Sequence, residues 1–167
     1  MENAFEHYLN DHLAGASGAI ALIGDLAERQ EDDGERRFYL GLQEQVRSDR
    51  ELLKELIRRA GMEEKILARI AGDIGTRAGR LKLMWEGLEA GKLRQFEGLE
   101  MLALGIQGKR LLWTVVGEVA ALYPEWEGID FAALAQDAKR QREAVEQRRI
   151  NSGRETLPAP ERKLAGS

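Results

Sequence analysis

Residues 96–123 read FEGLEMLALGIQGKRLLWTVVGEVAALY. Phe96, Leu99, Ala103, Ile106, Trp113, Val116, Ala120 and Tyr123 recur there at three- and four-residue steps. That spacing lines one face of an α-helix. The stripe has one polar gap, because Lys109 and Arg110 stand where the next core residue is due. Similar single interruptions occur at His12 and Asp49 in two other long segments. The pattern predicts a helical bundle crossed by a polar layer.

Working outward, a first helix is expected over about 3–31, with Phe5, Leu9, His12, Ala16, Ala19, Ile23 and Leu26 inward. Its middle, Gly15 to Ala19, is thin. Glycine costs about 1 kcal/mol against alanine inside a helix, so close approach of another helix is the first explanation and space for a ligand the second. Asp32-Asp33-Gly34 makes a tight turn, with Asp33 available as a cap. A second helix over 33–60 buries Tyr39, Leu42, Val46, Asp49, Leu53, Leu56 and Ala60, and Gly61 stands just beyond it. So short a turn makes the first two helices an antiparallel hairpin.

Residues 62–91 carry helically spaced Ile66, Ile70, Ile74, Leu81, Trp85 and Leu88, interrupted by four glycines. They read as a long, partly helical crossover, with a full fifth helix as the alternative. The helix over 92–123 stops at Pro124. Asp130 caps a last helix over 130–150, with Phe131, Leu134, Ala138 and Val145 inward. Residues 151–167 are expected to form a mobile tail, leaving one helical domain over 1–150.

The chain has 167 residues, a formal net charge of −4 and a pI near 5.4, which gives no general attraction to nucleic acid or to anionic lipid. It has no cysteine, which excludes disulfides, thiolate nucleophiles and cysteine metal sites. No apolar run approaches the roughly 20 residues that span a bilayer. The start, MENAFEHYLND, lacks the basic and apolar regions of a signal peptide, so a cytoplasmic protein is expected. Gly91-Lys92 and Gly108-Lys109 lack the context of a phosphate loop. The cations Lys139, Arg140, Arg142, Arg148 and Arg149 alternate with Glu143 and Glu146, as on a solvated helix face.

Two hairpins joined by a long connection give an all-α, up-down-down-up bundle, the order of ferritin-like folds. Together with YLNDHLAGASG (residues 8–18), helix length and order over about 3–150 resemble the ferritin-like superfamily, in particular its small uncharacterised bacterial members. The resemblance implies a search for di-iron ligands, which are a Glu on each of two helices and a Glu-x-x-His pair on each of the others. There is no Glu-x-x-His; the only histidines, His7 and His12, fall about 140° apart on a helix. Gln45, Glu97, Glu100, Asp137 and Gln141 remain as vestigial metal-site positions.

Counting register from the turns brings His12, Asp49, Lys109, Arg110 and Arg142 into one buried polar layer, with His12 raised in pKa by Asp49. No catalytic residue, metal or cofactor is assigned. The reading favoured by the sequence is a non-enzymatic bundle without metal, acting through self-association or another protein. A homodimer is expected, with no nucleic-acid or membrane partner, and Trp85, Trp126 and Phe38 partly exposed as anchors. The alternatives are a degenerate metal-binding protein or oxidoreductase, and a small-molecule binder in the groove at Gly15–Gly18. Leu9, Ile23, Leu42, Leu53, Ile106, Trp113 and Leu134 are expected to be buried.

Overall fold

The computed structural model describes residues 4–63 and 91–159, and among these it is all-helical, with no strand. Four helices pack together: α1 (Ala4–Glu28), α2 (Asp33–Arg59), α3 (Lys92–Val119) and α4 (Phe131–Thr156). Two 3-10 turns, Ala120–Leu122 and Pro124–Trp126, join α3 to α4. The expected crossover, with Trp85, lies outside the described residues apart from its ends.

Each terminus has a local cause. Asp32, not Asp33, caps α2: its backbone is extended and its carboxylate accepts from the Glu35 N–H at 2.8 Å. At the other end Gly61 adopts φ +68°, where a side chain would be strained, and the Met62 N–H returns to the Ile57 carbonyl at 3.1 Å. That closure turns Met62 into the core. The third helix ends at Val119 rather than Tyr123, tightening into a 3-10 turn ahead of Pro124. Asp130 caps α4 as expected, accepting from the Ala133 N–H at 2.9 Å.

The tail expectation needs correction, because α4 continues to Thr156. Tertiary packing overrides the weak helix formers Asn151-Ser152-Gly153. Gly153 is buried so closely on Phe96 that an added Cβ would stand 2.9 Å from the ring. Leu157 then closes the helix with its N–H on the Gly153 carbonyl at 2.9 Å.

The core forms two clusters. In one, Leu22, Ile23 and Leu26 near the end of α1 meet Tyr39, Leu42 and Val46 in the first half of α2, Leu99 to Ile106 in the first half of α3, and Ala138 and Val145 of α4. In the other, Leu9 and Leu13 early in α1 meet Leu53, Leu56 and Ile57 late in α2, Leu112 to Val116 late in α3, and Phe131. Six of the seven residues expected to be buried are so; Leu134 is only partly covered. Trp126 is a further correction, being 2% exposed rather than half-open. Its indole donates to the Leu56 carbonyl at 2.8 Å and stacks on Tyr123 at 4.1 Å between ring centres. Phe38 is half-buried beneath the Arg148 guanidinium, 3.3 Å from its ring centre.

The Phe96 contact can be tested against an open glycine. Gly153→Ala should lower stability by about 1–3 kcal/mol through overpacking. Gly41→Ala, where an added Cβ meets nothing within 4 Å, should raise it by about 0.5–1 kcal/mol. Urea melts of the two variants check the opposite signs.

Candidate functional site

Between the two core clusters three helices leave a cavity of about 280 Å³, lined largely by apolar side chains. Its walls include His12, Gly15 and Ala16 of α1, Asp49 and Arg50 of α2, and Gly105, Gly108, Lys109 and Trp113 of α3. The space has a structural origin. At Gly15, Gly105 and Gly108 an added Cβ would find no atom within 4 Å. Close helix approach, the first explanation of the thin α1 segment, therefore does not hold at Gly15. Gly15 and Gly105 are exposed, so the missing side chains leave the cavity open to the surface.

Polar chemistry converges on one wall. Lys109 extends its ammonium to Asp49 Oδ2 at 2.5 Å and also donates to Gln141 Oε1. The Lys109 and Asp49 side chains are 12% and 20% exposed, so this charge-assisted tie is largely shielded from water. Helices α2, α3 and α4 are thereby linked at mid-height. Gln141, singled out in the sequence as a vestigial metal position, is here a ligand for an ammonium.

His12 borders the same cavity, yet its geometry corrects an expectation. Among the described residues it makes no hydrogen bond or ion pair, and its ring stands edge-on to Tyr8 with centres 4.6 Å apart. Burial lowers its pKa below 6.5 rather than an adjacent carboxylate raising it. The Asp49 charge is engaged by Lys109, which leaves desolvation to dominate at the imidazole.

The other sequence candidates lie elsewhere. Arg110 borders a surface groove between α3 and α4 together with Phe131 and Gln136. Arg142 is half-buried and acts on Glu146, whose pKa is lowered chiefly by the Arg149 hydrogen bond. Gln45 is exposed, and Asp137 is exposed and paired with Arg140. Glu97 and Glu100 precede Lys109 by distances of about 18 and 13 Å along the helix, too far to share its level. Glu100 instead accepts from Arg149 at 2.9 Å. Among the described residues no group of three or more His, Cys, Asp or Glu could hold a metal ion.

The chain matches no family model, no curated protein and no solved structure. Its site must be understood from its own atoms, and two of these were not singled out in the sequence. Trp113 lines the cavity, and its buried Nε1–H has no acceptor. Arg50, also in the wall, keeps a buried Nε–H without a partner. Trp113 had registered only as a core residue, because periodicity reports which face a side chain takes and not where its polar edge lands.

Two measurements follow from this geometry. Asp49→Ala should cost about 2–4 kcal/mol by leaving the Lys109 ammonium without its counter-charge, against under 1 kcal/mol for the exposed Glu51→Ala. Asp49→Leu with Lys109→Met should recover much of that loss in denaturant melts. His12, with a folded pKa below its unfolded 6.5, contributes stability above pH 6.5. That contribution is lost as pH falls through the folded value. His12→Phe should flatten this part of a stability–pH profile.

Proposed function

We propose that the protein is a non-enzymatic helical bundle that holds a small molecule in its mid-bundle cavity. The observation that carries the reading is an apolar cavity of about 280 Å³ walled by three helices, which no side chain closes at Gly15, Gly105 or Gly108. Each gives up helix propensity of about 1 kcal/mol against alanine, with no tight contact to require it. A ligand entering that space would recover the value of the void.

The lining defines the chemistry of the occupant. Apolar walls suit an apolar body. The cationic side chains of Arg50 and Lys109 in the wall suit a polar or anionic end on that body, as in a carboxylate or ketone of medium chain length. His12, kept neutral by burial, adds a group able to donate or accept.

The packing also supports reading the bundle as up-down-down-up and ferritin-like. The end of α1 shares a core with the first halves of α2 and α3, and late α4 reaches early α3 where Gly153 packs on Phe96. In such a bundle Lys109 takes over the place of a mid-bundle cation: its ammonium is bound by oxygens of Asp49 and Gln141. That arrangement favours ligand holding over metal chemistry.

Thermal melts with octanoate and with 2-octanone test the reading. A probe at about 100 times its Kd adds about 2.7 kcal/mol, which raises the Tm of a chain this size by roughly 5–10 °C. Gly105→Ala with Gly108→Ala should raise the ligand-free Tm and remove the probe's effect. Melts that neither probe moves would sink the proposal.

A further inference from the structure

Where the end of α1, the starts of α2 and α3 and the end of α4 come together, a second cavity of about 460 Å³ opens. Gln30, Tyr39, Gln95 and Ser152 reach it from the four sides. Its chemistry is the reverse of the mid-bundle cavity, because each residue in its wall carries a polar side chain. Its charges cancel. Glu35 and Arg148 bond each other at 2.8 and 2.9 Å, and Lys92 and Glu155 add one further charge of each sign.

The groups left unspent are neutral. Tyr39 is 1% exposed, and its hydroxyl makes no hydrogen bond among the described residues. Burial first, then the Glu35 charge, keeps that hydroxyl protonated against the opposing pull of Arg148, so it stands beside the ion pair of the cavity wall. The hydroxyls of Ser17 and Thr114 return to the carbonyl four residues back, at 3.2 and 2.9 Å. Ser152, half-buried in α4, makes no such bond, and the Gln95 amide is likewise without a partner among the described residues. Gln147 donates to Asn151 Oδ1 at 3.3 Å and keeps its own oxygen as an acceptor. An amide sets donors beside an acceptor, and a hydroxyl both donates and accepts. The uncharged ligand that matches such a wall is one whose own groups each do both. We infer that this cavity binds a neutral polyhydroxylated molecule, a monosaccharide or cyclic polyol, through Tyr39, Gln95 and Ser152. The site is separate from the mid-bundle cavity and does not depend on what that cavity holds.

The experiment is an NMR titration of the isotope-labelled full chain with glucose and with myo-inositol. Saturable shifts of the Gln95 side-chain amide signals, with a Kd of about 1 mM or below, are expected from at least one of the two. Shifts that never saturate, or that spare Gln95, overturn the inference. Tyr39→Phe should weaken binding about tenfold, the worth of one hydrogen bond. It should not lower the Tm, because the hydroxyl has no protein partner to lose. Ser152→Ala, which improves helix propensity, should also weaken binding and carries the test if Tyr39→Phe fails to fold. Binding that either folded variant leaves unchanged overturns the inference. So does inorganic phosphate that saturates the same signals more tightly than either polyol, which would make the cavity an anion site.

Discussion

A positive charge in the middle of a helical bundle constrains everything around it. The Lys109 ammonium is held by Asp49 and Gln141, and only where all three meet at one height is the charge compensated. Sliding α2 or α4 by one turn, about 5.4 Å, would separate the partners and leave a charge in low dielectric. Apolar contacts above and below tolerate small displacements far better, because Leu and Ile packing is nearly non-directional. The tie therefore acts on register more than on net stability, as buried polar pairs do in several helical systems.

The ends of the bundle are fixed differently. At one end the aromatic rings of Phe5, Tyr123, Trp126 and Phe131 lie within 4.1–6.3 Å of a neighbouring ring, and the Trp126 indole bonds to the α2 backbone. At the other, Arg148 forms a two-pronged bond to Glu35 at 2.8 and 2.9 Å while lying on Phe38. Tyr39 is buried beside that pair, and burial together with the Glu35 charge pushes its hydroxyl up to about 12. It stays neutral at every ordinary pH.

The helices were legible in the sequence because a 3.6-residue period needs only the apolar positions to be counted. That count located all four helices and most of the core. It also brought Lys109, Asp49 and the segment containing Gln141 to one level, but it put Arg110 and Arg142 in the same layer, and they lie elsewhere. It failed where an outcome depends on a single contact. Whether Asp32 or Asp33 caps α2 is a matter of one backbone dihedral, and α4 outlasts its poor helix formers because Phe96 packs on Gly153. The cavity was the least legible feature. A thin helix segment points to close packing before empty space, and only the position of the facing helix distinguishes them.

Gly108 opens onto the rim of the cavity, where a side chain would narrow it. Lys109, one residue on, turns by about 100° and points its charge inward to Asp49. Arg110, a further residue on, borders the groove between α3 and α4. Three adjacent positions on one helix thus meet three different surroundings. The apolar stripe breaks at Gly108–Arg110 because the charge of Lys109, held by Asp49 and Gln141, takes the place of a core side chain there.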